Sequence, residues 1–187
     1  MPNITKHALE ASLKNLMLKK PLDKITISDL TADCGISRMA FYYHFKDIYD
    51  LIEWSCIEDA SRALQGKKTY DTWQEGLLQI FEVVLENKPF ILNAYRCISR
   101  DQIENYLFQL THSLIMGVVE EKSVNTHISV PEKNFIADFY KYSFVGIMLD
   151  WIKNGMKDDY QKIVEYMCIT LHGNITNSIH NFTKRDI

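Results

Sequence analysis

Apolar residues recur at helical spacing along almost the whole chain, and the breaks between stripes fall where helices can end. Leu9, Leu13, Leu16 and Met17 share one stripe, which predicts a first helix over about 5–19, closed by Lys20-Pro21. A second helix starts after Thr26, whose hydroxyl is placed to cap it, with Asp29 three residues on as the return partner. Gly35 closes that helix, because a glycine just past a helix end accepts the left-handed conformation. Ser37 caps a third, short helix that runs to about Phe45, and Asp47 caps a fourth over about 47–65. Further helices are predicted at about 70–87, 89–98, 100–122, 132–154 and 158–182, with Pro89 and Pro131 in first turns, where proline is tolerated.

The chain is therefore expected to be all-α, with about nine helices. A three-helix head over residues 1–50 and a regulatory and dimerisation domain over 66–187 are connected by helix four, with the polar run Gln65 to Thr69 as the boundary. Hydrophobic residues make up 47% of the 187 positions, enough to bury a sizeable core. Cys34, Cys56, Cys97 and Cys168 lie far apart with no C-x-x-C pair, which argues against a metal site or a disulfide framework and for free thiols in a reducing cytoplasm. No apolar run suggests a signal peptide or a membrane span, so a cytoplasmic protein without a membrane partner is expected.

Net charge changes the picture. The chain carries -3 overall, but residues 1–50 hold 7 Lys/Arg against 6 Asp/Glu, while residues 51–187 hold 14 against 18. The head is only mildly basic, so binding to nucleic acid has to rest on a few placed contacts, used twice in a dimer. A wheel of helix three supplies them. Phe41 and Phe45 fall on one face and can anchor it; Met39 and Tyr43 fall opposite; Arg38 with Tyr42, and Ala40 with His44, form the shoulders. The outer face suits a major groove, with Arg38, Met39 and Tyr43 toward base edges and Tyr42 and His44 toward phosphates. Thr26, Ser28, Ser37 and Lys46 complete the candidate DNA contacts. His44 has no acidic or thiol partner at ligand spacing, so no metal or other cofactor is expected.

The run ITISDLTADCGISRMAFYYHFKDIYDL, from Ile25 to Leu51, resembles the helix-turn-helix of the tetracycline-repressor (TetR) family of transcription regulators. The run FYKYSFVGIMLDWIKNGMKDDYQKIVEYM, from Phe139 to Met167, resembles the last two helices of a Firmicutes-type C-terminal domain found in regulators of dihydroxyacetone-kinase operons. The resemblance implies a homodimer on a palindromic double-stranded operator, with helix three in the major groove. It implies phosphate contacts for Ser37, Tyr42 and His44 and base contacts for Arg38, Met39 and Tyr43. The chain departs from the family pattern at Ala40, where threonine is frequent, and at Ile48, where a phosphate-binding lysine is frequent; Lys46 lies nearby.

The helix at 132–154 is apolar almost all round, which predicts burial on most sides, part of it against a second subunit. Phe144, Met148, Trp151, Tyr166, Ile169 and Gly173 are the expected dimer contacts, with Gly173 allowing close helix approach. As in the family, an unidentified small-molecule effector is expected between the middle helices, near Trp54, Trp73, Phe81, Tyr95, Arg96, Phe108, His112 and Met116. The leading expectation is a repressor released by that effector. The alternatives are an activator or protein-responsive coregulator of the same fold, and a helical enzyme or lipid carrier. Against the last, no paired carboxylates, catalytic triad spacing or phosphate-cradling glycine loop is present in the sequence.

Overall fold

A computed structural model describes residues 2–63 and 72–185; the expected boundary at Gln65 to Thr69 lies outside the described residues. All regular structure among the described residues is helical. The order is α1 Pro2–Met17, a 3-10 turn at Leu22–Lys24, α2 Ile27–Asp33, α3 Arg38–His44, α4 Ile48–Ala63, α5 Trp73–Glu86, α6 Lys88–Cys97, α7 Arg100–Lys122, α8 Val130–Lys153, α9 Tyr160–Leu171 and α10 Asn174–Arg185.

The expected last helix is thus two. Gly173, with φ of +74°, turns the chain between α9 and α10. Nothing lies within 4 Å of where a Cβ on Gly173 would stand, so within the chain the glycine serves the turn and not a close helix contact.

Two cores organise the described residues. The first joins Leu9, Leu13 and Met17 of α1 to Leu30, Phe41, Phe45, Leu51 and Ile52. It is completed by Phe90, Ala94 and Ile98 around α6, which lies far along the sequence. The second packs α5, α7, α8, α9 and α10 around Phe81, Leu114, Ile115, Val118 and Val119, all of which are buried.

Polar groups tie α6 to the head as well. The Asn93 side-chain amide donates to the carbonyls of Met17 at 3.0 Å and Lys20 at 3.2 Å, and its Oδ1 accepts from the Leu22 N–H at 3.0 Å. Carbonyls at the end of α1 lack partners within the helix, so one side chain from the body closes the end of the head's first helix.

A charged cluster joins α1 to α4. Glu10, 6% exposed, accepts from Lys14 at 2.8 Å, Ser55 at 2.8 Å and His7 at 3.1 Å. Lys14 also donates to Asp59 at 2.7 Å, and Asp59 accepts from Arg62 at 2.6 Å. Burial pushes the Glu10 carboxyl up, but the donors, led by Lys14, outweigh it and hold Glu10 below the usual range. A buried charge is tolerated only when paired in this way.

Candidate nucleic-acid interface

The head's outer helix is set by its ends. Thr26 caps α2 through a reciprocal box: its hydroxyl accepts the Asp29 N–H at 3.1 Å and donates to Asp29 Oδ2 at 2.9 Å, while its own N–H donates to the same oxygen at 2.8 Å. Lys20 reaches Asp29 at 2.9 Å and, with the Thr26 donors, holds that carboxyl down to about 2. Thr26, expected among the DNA contacts, therefore has its hydroxyl proton committed to the cap. Lys20 is likewise an internal partner.

The far end of α2 closes on Gly35, at φ of +65°. The Ile36 N–H reaches the Thr31 carbonyl at 2.9 Å and the Gly35 N–H reaches that of Ala32 at 3.3 Å, the paired bonds of a Schellman end. This turn delivers Ser37 as the cap of α3, its Oγ accepting the Ala40 N–H at 3.1 Å. As an acceptor there, the hydroxyl still carries a proton to donate.

Helix α3 is seven residues long, too short to be stable alone, and is held by its inner face. Phe41 is fully buried and Phe45 is 3% exposed; Phe45 packs against Trp54 of α4 with ring centres 5.7 Å apart. On the outer face Met39 is 80% exposed and Tyr43 82%, with Tyr42 half-exposed. Arg38 and Lys46 are exposed, Ser28 is exposed in the first turn of α2, and His44 is half-buried beside Tyr43. The structure thus gathers Ser37, Arg38, Met39, Tyr42 and Tyr43 on one outward surface. Tyr49 adds an exposed ring in the first turn of α4, next to Asp47.

The effector residues expected from aromatic spacing do not form one site. Trp54 belongs to the head, under Lys6 and beside His7 and Phe45. Trp73 and Phe81 are buried in the second core against Phe144 and Trp151, and Met116 packs on the same core. Arg96 is exposed beside the α1 end. Phe108 and His112 lie along an open polar groove with Asp138 and Lys141. There Asp138 accepts from Lys141 at 2.6 Å and contacts His112 at 3.1 Å; Lys141, chiefly, lowers its pKa.

Tyr95 alone of the eight lines the apolar cavity beside the head. That cavity, about 80 Å³, lies between α4, α5, α6 and α7 and is walled chiefly by isoleucine, leucine and valine, with Cys56, Asp59 and Asn87 among them. Aliphatic side chains carry no spacing signal that separates a cavity wall from solid core.

The expected dimer contacts divide. Phe144, Met148 and Trp151 are 3%, 4% and 2% exposed within one chain, so they are core residues of their own subunit. Tyr166 and Ile169 are 64% and 67% exposed, and on α8 the outward apolar positions are Val130 at 69%, Phe135 at 63%, Phe139 at 60%, Tyr142 at 57% and Ile147 at 40%. Phe139, Ser143, Ile147, Tyr166 and Thr170 border a groove of about 480 Å³ between α8 and α9. Gly173 sits half-exposed at the α9–α10 turn. Among the described residues, no group of three or more His, Cys, Asp or Glu is placed to hold a metal ion, and no helix is long and apolar enough to cross a membrane.

Known proteins share this architecture. Residues 71–173 match the TetR-type family model described as "Transcriptional regulator C-terminal region". The chain is 24% identical over 168 residues to the HTH-type dhaKLM operon transcriptional activator DhaS of Lactococcus lactis, covering 88% of this chain and 89% of that protein. A solved structure of a dihydroxyacetone kinase operon activator DhaS superposes with a TM-score of 0.66 at 22% identity, covering 97% of each chain. The TetR family repressor AlkX from a Dietzia strain superposes with a TM-score of 0.59 at 11% identity, over 93% of this chain and 96% of that one.

Proposed function

Residues 71–173 make up more than half of the chain, so the protein belongs to the TetR family of DNA-binding transcriptional regulators, and from that footing we propose that it binds a palindromic operator as a two-fold dimer, reading bases with α3. One observation carries this reading. Met39 and Tyr43 stand about four-fifths exposed on a seven-residue helix whose opposite face is locked into the core. Large apolar and aromatic side chains held outward on a rigid support favour a surface that meets a partner.

The roles follow from chemistry. Met39 offers an unbranched apolar side chain that suits thymine methyl groups, and Arg38 can pair with guanine in bidentate fashion. The Ser37 proton, the Tyr42 hydroxyl and His44 serve phosphates, and Lys46 takes the place of the lysine that Ile48 lacks. The first carboxyl-bearing residues near this face, Asp47 and Asp50, are turned to caps: Asp47 accepts the Asp50 N–H at 2.9 Å and Asp50 accepts the Lys46 N–H at 2.8 Å. Their charge is spent on α4 rather than aimed at DNA.

The α8–α9 groove, lined by Phe139, Ile147 and Tyr166, is proposed as the face that meets the second subunit. A two-fold there is proposed to set two α3 helices one DNA turn apart, about 34–36 Å. The cavity beside α4 and α6 is proposed as the effector site, because Ala94 and Ile98 belong both to its wall and to the head's core. A ligand that favours one arrangement of α6 changes the operator affinity of the head by the same free energy. Whether that represses or activates depends on where the operator lies relative to the promoter; the relatives named above include both activators and a repressor.

Site selection from random duplex DNA tests the assignment of roles. Met39→Ala is expected to alter the preferred base at one or two operator positions. Tyr42→Phe is expected to weaken all sequences alike and leave the preference unchanged. Identical parental preferences from both variants would remove Met39 from the reading face.

A further inference from the structure

Resting on the reading of this chain as an effector-responsive regulator, we propose that its cavity takes a compact, uncharged apolar molecule carrying at most one hydrogen-bonding group, of the small aromatic class, and rejects polyols and charged metabolites.

The wall is aliphatic, and most of its few polar side-chain groups are already engaged. Asp59 accepts from Lys14 at 2.7 Å on one oxygen and from Arg62 at 2.6 Å on the other. The Asn87 amide donates to the Val83 carbonyl at 2.9 Å. Burial pushes the Cys56 thiol up to about 12, so that sulfur is a neutral, apolar neighbour. The Tyr95 ring brings the wall's remaining hydroxyl among the described residues. A polyol entering here would give up its water and find almost nothing in return. An ion would in addition face the cost of burial beside an Asp59 that is already neutralised.

Size narrows the class. An engineered apolar cavity of about 150 Å³ stays dry and admits benzene. The present one is about 80 Å³, so a single ring is the upper limit, with half-buried Leu107 and Leu110 of α7 yielding to admit it. The cavity also sits where occupancy can be felt. Ile52, Cys56 and Asp59 are on α4, and Asn93, one residue before Ala94, grips the end of α1. The dihydroxyacetone connection in the relatives' names is thus not matched by the chemistry of this wall.

Fluorobenzene titrated into the full-length protein and followed by fluorine NMR tests the assignment. The expected result is one saturable site per chain, competed by benzene and not by glycerol or dihydroxyacetone. Val84→Phe, which fills the cavity from α5, is expected to weaken fluorobenzene at least tenfold while the unfolding midpoint stays close to the parent's; Leu107→Phe, at the α7 wall, serves if the first variant does not fold. No saturable site, competition by either polyol, or undiminished binding in both filled variants would overturn the proposal. Operator binding measured without ligand separates the two levels. A protein that binds its operator but not fluorobenzene loses only this ligand class; one that binds fluorobenzene but no DNA keeps the cavity assignment and loses the regulator reading beneath it.

Discussion

A protein with alanine at Phe41 is expected to lose measurable operator binding and about 3–5 kcal/mol of stability. Phe41 is fully buried, with its ring 6.0 Å from Phe45 and 5.7 Å from Tyr42. It is the one fully buried aromatic anchor of α3, and the helix has only seven residues over which to spread the loss. Truncation leaves a ring-sized void in a core that also holds Leu9, Leu13 and Leu30, so the damage reaches α1 and α2. Met39→Ala is the contrasting control. Met39 is 80% exposed, so its removal is expected to change stability by no more than about 0.5 kcal/mol while still changing DNA recognition. Urea unfolding and fluorescence anisotropy on the same samples read both quantities. A Phe41→Ala protein that binds the operator with parental affinity would contradict the role given to the inner face of α3.

The second large effect is expected at the α8–α9 face. Ile147→Asp combined with Tyr166→Asp should convert the protein to monomers and weaken operator binding by about 10²–10⁴-fold, the range over which two linked binding events exceed one. Both side chains are exposed in the single chain, 40% and 64%, so the fold should survive the change, with an unfolding midpoint close to the parent's. A buried interface would instead place unpaired carboxylates against each other, which a dimer does not tolerate. Sedimentation velocity distinguishes the outcomes. A double variant that remains dimeric would move the subunit contact to another face.

What could be read from the sequence was local. The caps at Thr26 and Ser37, the glycine turn at Gly35 and the opposed faces of α3 each depend on residues within four positions of one another, and the structure places them as the spacing predicts. What could not be read depended on phase or on distance. On α8 nearly every face is apolar, so periodicity gave no way to tell Phe144 and Met148, which fill the subunit's own core, from Phe139 and Ile147, which do not. The aromatic residues expected around an effector are dispersed for a related reason: a stripe shows that a side is buried but not whether it meets solid core or a gap. Trp54 and Phe81 meet solid core, in the head and the body respectively. The insertion of α6 into the head, with Asn93 gripping Met17 and Lys20 across more than seventy positions, has no local signature.

Site selection with the parental protein, followed by footprinting of the enriched DNA, tests most directly the claim that this chain reads DNA through paired copies of α3. The expected result is an inverted repeat whose half-site centres lie one helical turn apart, with protection of both half-sites lost together in the Ile147→Asp, Tyr166→Asp variant. Enrichment of no sequence at low salt, or of a single unrepeated site bound by one chain, would contradict it.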